Sequence, residues 1–232
     1  MTPDVRNNIK HHIDCSGYYA ITVNGGPTPR WSYTIGLSET RGYELLFAGG
    51  IDYMLDQVLA LFEKYAAIGR EPPSFESGTD VAGRPVHETW ADRLMVGVAG
   101  YYGAPRPSVQ IVPTRPTIDT PDTSLPYATS SAGPFRWLDE PWVYPVPAEA
   151  EAMTNLRALY GEPVTEAARW EEGYWELFAG PGDEVTDETA RAVPIGTLLS
   201  HDSSLEPILR LGIGDASRRE PGKKWRAWKK KG

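Results

Sequence analysis

Tyr18-Tyr19-Ala20-Ile21-Thr22-Val23, then Asn24-Gly25-Gly26-Pro27, then Arg30-Trp31-Ser32-Tyr33-Thr34-Ile35 is the stretch whose reading decides the fold. Two runs rich in β-branched and aromatic residues, separated by turn formers, predict a β-hairpin. Downstream, Tyr43-Glu44-Leu45-Leu46-Phe47-Ala48 suits an interior strand. A helix is expected over about 52–68, because Met54, Leu55, Val58, Leu59, Leu61, Phe62 and Ala66 fall on one broad face. Upstream, Thr2 as cap, Pro3 in the first turn and the stripe Val5, Ile9, Ile13 predict a helix that stops at Gly17.

Beyond Pro72-Pro73 the expected elements are strands over 74–81 and 85–91, separated by Ala82-Gly83-Arg84, and a short helix over 94–102. Ser108-Val109-Gln110-Ile111-Val112 reads as a strand stopped by Pro113, and 114–133 as a long irregular loop of the kind that is often functional or mobile. A helix over 148–160, strands over 174–179 and 192–195, and a short helix over 202–209 complete the pattern. The fold class is α+β: a larger mixed or antiparallel sheet domain with a main packed helix over 1–145, a helical linker region over 146–165, and a small α+β domain with a basic tail over 166–232. No fixed-period repeat is present, which removes solenoids and propellers.

Composition agrees with a globular chain of 232 residues, 41% hydrophobic and 23% charged, whose 21 prolines and 23 glycines disfavour long helical bundles. No apolar run has the length of a membrane span, and the first residues lack the basic and apolar regions of a secretory signal. Cys15 is the single cysteine, which excludes an internal disulfide and fits a reducing cytoplasm. A net charge of −8 argues against general nucleic-acid binding, since phosphate affinity comes largely from Lys and Arg.

The runs at 18–23, Trp31-Ser32-Tyr33-Thr34-Ile35-Gly36-Leu37, Gly42-Tyr43-Glu44-Leu45, Tyr101-Tyr102-Gly103, Gln110-Ile111-Val112-Pro113 and Gly133-Pro134-Phe135-Arg136-Trp137 together resemble the bacterial family known as domain of unknown function 4262, over roughly residues 5–142. The sequence departs from that family in having Tyr43 alone where a His-Pro pair usually precedes Glu-Leu, and in a long insertion after Pro113. Residues 170–228 resemble a second family, domain of unknown function 2185, related to immunity proteins of polymorphic-toxin systems. Glu172–Glu184, Asp202–Leu209 and Gly212–Arg219 carry that likeness.

Several groups are candidates for chemistry. His11 and Cys15 stand at i, i+4 and could share a metal, against the plainer reading of solvated histidines and a buried structural cysteine. Glu44 could act as a general base in a pocket lined by Tyr33, Thr34, Tyr101 and Tyr102; aromatic residues in strands are otherwise core. Asp139-Glu140 between Trp137 and Trp142 suits a sugar or a cation, or is simply solvated. No nucleophile elbow, Walker loop or dinucleotide fingerprint occurs, so no cofactor is expected. The stretch 162–188 carries Glu162, Glu166, Glu171, Glu172, Glu176, Asp183, Glu184, Asp187 and Glu188 against Arg169 alone. With Trp170, Tyr174 and Trp175 it would steer and hold a basic protein partner, and Glu171, Glu172, Trp175, Asp183 and Glu184 are the expected contacts. The tail over 223–231 reverses the sign and reads as a frayed, solubilising end or as a phosphate-pairing segment. An enzyme or small-ligand binder with its pocket in the first domain is the alternative.

Overall fold

The computed structural model describes residues 1–24, 27–67 and 81–229. The fold is α+β, in two compact units: one made of residues 1–24, 30–116 and 120–131, the other of 25–29, 117–119 and 132–232.

In the first unit, helix α1 (Pro3–Ser16) follows Thr2, whose side chain makes no capping hydrogen bond, ends at Gly17 and buries Ile9. Strands β1 (Tyr19–Val23) and β2 (Trp31–Ile35) pair antiparallel with Ile21 opposite Tyr33, as the opening stretch predicts. Gly25 and Gly26 of the expected turn lie outside the described residues. A short helix α2 (Leu37–Arg41) leads into β3 (Glu44–Ala48), which joins β2 antiparallel. Helix α3 (Leu55–Ala66) follows, buried through Val58, Phe62 and Tyr65. Strand β4 (Val81–Pro85), helices α4 (Glu88–Leu94) and α5 (Val96–Tyr102), and strand β5 (Ser108–Pro113) complete the set. The sheet order is β1-β2-β3-β5-β4, with β3 and β5 parallel and the other pairs antiparallel.

One sheet face packs Leu45, Phe47, Val109 and Ile111 against Val58, Phe62 and Tyr65 of α3. On the α4–α5 side, Trp31 Nε1 donates to the Leu94 carbonyl at 2.7 Å and the Gly97 amide donates to the Tyr33 hydroxyl at 3.1 Å. Two readings change here. Residues 88–91 are helical, because His87 accepts from the Thr89 amide at 3.3 Å and so caps α4. Ala82-Gly83-Arg84, read as a separator, lies inside β4, an edge strand that tolerates Gly and Pro because one side has no ladder to break. The strand expected from 74 lies, up to residue 80, outside the described residues. The loop beyond Pro113 is held down: buried Gln110 donates to the Pro121 carbonyl at 3.1 Å and accepts from the Thr123 hydroxyl at 2.7 Å.

The second unit is built on the sheet order β11-β10-β7-β8-β6-β9. Its strands are β6 (Glu151–Asn155), β7 (Glu166–Glu171), β8 (Tyr174–Phe178), β9 (Ala190–Pro194), β10 (Ala216–Arg218) and β11 (Arg226–Trp228). Helix α6 (Leu156–Leu159) follows β6, and α7 (Ile195–His201) follows β9 and packs on a 3₁₀ turn at Gly133–Leu138. The stretch 146–165, read as a helical linker, supplies an interior strand instead: β6 runs parallel to β8 and antiparallel to β9. Asn155 secures the end of that strand, accepting from the Ala158 and Ala179 amides at 3.2 Å each and donating to the Ala179 carbonyl at 2.9 Å. The tail over 226–228 is a paired edge strand, not a frayed end. No helix among the described residues is long and apolar enough to cross a membrane.

Candidate functional site

Glu44 is completely buried at the start of β3. Its Oε1 accepts from the Gly36 and Ser38 amides at 3.0 Å each, and its Oε2 from the Thr34 hydroxyl at 2.7 Å and the Leu37 amide at 3.3 Å. Thr34 in turn accepts from the Leu45 amide at 2.9 Å, which closes the loop between β2, α2 and β3. Gly36 makes this possible: its φ of 119° is rarely reached by other residues, and an added Cβ would stand 2.9 Å from Ile13 Cγ1. Burial pushes the Glu44 carboxyl above its ordinary value, and the hydrogen bonds from Ser38, Thr34 and Gly36 pull it back. A carboxylate with both oxygens accepting twice has no lone pair free to take a substrate proton. Glu44 therefore ties the first turn of α2 to the sheet, and the general-base reading loses its geometry.

The other candidates in this unit are also placed by packing. Tyr33 is buried, with its hydroxyl taken by Gly97. The Tyr102 hydroxyl is pushed up to about 12, by burial first, with Ser38 opposing and the charge of Glu44 adding, so it stays protonated at neutral pH. His11 and Cys15 do share a helix face, with Nε2 and Sγ 3.9 Å apart, but both are exposed, which corrects the buried-cysteine reading. Among the described residues no three His, Cys, Asp or Glu side chains gather as metal ligands. Asp139 and Glu140 are exposed, and Glu140 approaches Arg136 at 3.6 Å, while Trp137, Trp142 and Tyr144 pack edge to face on one another.

Residues 12–117 match the model of Domain of unknown function (DUF4262). No curated protein matches the chain, and no solved structure matches it. The DUF4262 segment runs from α1 through β5 and contains Glu44, Tyr33 and Tyr102. It stops short of the Gly133–Trp137 run that the sequence reading included. It lends no support to the likeness of residues 170–228 to domain of unknown function 2185, which lie outside it.

The acidic candidates lie beyond the DUF4262 segment, and the β7–β8 hairpin divides them. Glu171 and Glu172 are exposed at its turn, where Glu171 stands opposite Tyr174. Exposed Glu151 joins them, since its amide donates to the Gly173 carbonyl at 2.9 Å. Asp183 and Glu184 are exposed at the opposite end, where the Gly182 amide donates to Glu166 at 2.9 Å. At about 3.3 Å per residue, β8 holds the two groups roughly 16 Å apart. That exceeds a Debye length of about 10 Å at 0.1 M salt, so the two ends act on a partner separately. The far end is also partly neutralised, because Arg157 lies 2.7 Å from Glu162 and 3.9 Å from Glu184. No ion pair among the described residues involves Glu151, Glu171 or Glu172. Trp175 is fully buried under Arg169, so it is core and cannot be a contact residue.

A second polar constellation in this unit escaped the sequence reading. Arg219, its side chain 5% exposed, donates from Nε to the Val164 carbonyl at 2.8 Å, from Nη1 to Ser204 Oγ at 2.6 Å and from Nη2 to Asp202 Oδ2 at 2.7 Å. Ser204 bonds Asp202 through both its hydroxyl and its amide. Burial works to raise the Asp202 carboxyl, but Ser204 and Arg219 outweigh it and hold it below its ordinary value of 3.8. A depressed carboxyl adds stability that is complete above the unfolded value and fades as pH falls through the folded one. Asp202→Asn is therefore expected to cost about 1 kcal/mol at pH 7 after allowance for solvent screening. In urea melts of both proteins the difference should narrow as pH falls below the ordinary carboxyl value and close once the folded carboxyl is protonated; a constant difference across pH would show that the carboxylate charge is not what Arg219 holds. Only one residue separates Asp202 from Ser204, but Arg219 comes from another element, and no local pattern announces such a pairing.

Proposed function

We propose that the chain is a protein-binding module that engages a basic partner through the carboxylates at the turn of the β7–β8 hairpin, in the manner that its likeness to immunity proteins implies, and that it acts in the cytoplasm. One observation carries this reading: Glu151, Glu171 and Glu172 are exposed together without an ion pair among the described residues. Uncompensated carboxylates on the end of a well-packed hairpin speed the approach of a cationic surface, whose charges offset the cost of desolvating them. The alternative, a catalytic pocket beside Glu44, finds no support in a carboxylate whose acceptor sites are filled.

The experiment is affinity capture of partners with the purified chain, at low and at high salt, with the wild type and with a Glu171→Lys, Glu172→Lys double variant. A cationic protein retained at low salt, weakened at least tenfold by raised salt and lost with the double variant, is the expected result. Capture that ignores both salt and charge reversal would remove the proposal. Both substitutions are on the surface, so circular dichroism should show an unchanged fold.

A further inference from the structure

We propose that the cleft between the 3₁₀ turn Ser203–Arg210 and the segment before β11 binds a phosphorylated small molecule, independently of the acidic hairpin end. The cleft has a volume of about 690 Å³ and is lined by Arg210, Lys223, Lys224 and Trp225. It adjoins a cavity of about 400 Å³ that shares Ser204, Arg219, Gly222 and Lys223 with it. Such a volume lies within the range of small-molecule sites, roughly 300–1,000 Å³.

Charge selects the ligand class. In a chain of net charge −8, the side chains of Arg210, Lys223 and Lys224 are exposed along one cleft. None of them takes part in an ion pair among the described residues. Among the described residues, Glu206 is the one carboxylate lining this cleft; in the adjoining cavity Asp202 is committed to Arg219 and Glu162 to Arg157. Three uncommitted cations facing one opening favour an anion that carries more than one negative charge, which a phosphate group does.

The frame around them is fixed before any ligand arrives. The Lys223 amide donates to the Glu220 carbonyl at 3.0 Å, closing a turn with Pro221 and Gly222 at its centre, and Gly222 has φ 72°. Proline followed by a glycine at positive φ is the signature of a type II turn, which holds Lys223 and Lys224 at the rim. Trp225 is pinned by its Nε1 donating to the Ser204 carbonyl at 3.1 Å and by stacking at 4.4 Å on the Arg219 guanidinium. A tryptophan fixed in this way offers a flat wall on which the ring of a ligand can lie.

The test is isothermal titration of the full chain with inorganic pyrophosphate, adenosine triphosphate, adenosine and a short single-stranded RNA. Pyrophosphate and adenosine triphosphate should bind, the nucleotide more tightly, and adenosine should not. Lys223→Ala with Lys224→Ala should weaken binding of both phosphates at least tenfold, and Arg210→Ala should weaken it independently; these side chains are exposed, so folding is spared. Absence of binding at millimolar phosphate, or binding that the lysine variants leave unchanged, would overturn the proposal. So would RNA bound in strong preference to both small anions.

Discussion

Glu44→Ala is expected to destabilise the first unit by about 3–5 kcal/mol. The substitution removes the acceptor for the buried amides of Gly36 and Leu37, the part-buried amide of Ser38 and the buried Thr34 hydroxyl. Each buried donor left without a partner costs about 1–3 kcal/mol, reduced where water enters the space vacated. Glu44→Gln should cost less than half as much. Its oxygen still serves two amides, while its NH₂ meets Thr34 favourably and the Leu37 N–H unfavourably. Chemical denaturation of the three proteins checks this order. A catalytic base would behave otherwise: both substitutions would leave stability near wild type, and the reading of Glu44 as a structural tie would fail.

Trp175→Ala should be the most damaging change in the second unit, at about 3–5 kcal/mol, because it empties a large volume from a sheet interior. Trp175 is fully buried in β8, between β7 and β6. Any loss of partner binding in this variant should track loss of fold, as read by near-UV circular dichroism. Lost binding with native spectra and unchanged denaturation would mean that the indole itself touches a partner, contrary to its burial.

These two residues also show what a sequence discloses. Trp175 lies in a run that reads correctly as a strand, yet alternation alone does not say which of Tyr174 and Trp175 turns inward, and the acidic neighbours suggested the wrong one. Glu44 stands out as a lone carboxylate in an apolar run. A buried acid is a base candidate or a tie to backbone amides with equal right until the amides are located.

The β1–β2 hairpin and α3 were legible because their signals are local: turn formers between alternating runs, and an apolar stripe of helical period. Strand β6 was not. Glu151-Ala152-Met153-Thr154-Asn155 has the composition of a helix, and pairing on both sides by β8 and β9 overrides that preference. Strands β10 and β11 are three residues each, too short for periodicity to register, and the density of Lys and Arg around β11 suggested a solvated end. The Arg219 constellation joins residues 17 apart in sequence, and only tertiary structure brings them together.

The partner-binding proposal rests on the two ends of the β7–β8 hairpin being electrostatically separate and on Arg157 partly neutralising the Glu184 end. The most direct measurement compares affinities of the captured partner for the wild type, for Glu171→Lys with Glu172→Lys, and for Asp183→Lys with Glu184→Lys, at one low ionic strength. A loss of at least tenfold in the first double variant, with a change under about threefold in the second, is the expected outcome, since 1.4 kcal/mol corresponds to tenfold. Equal losses in both, or a loss confined to the Asp183 and Glu184 end, would contradict it.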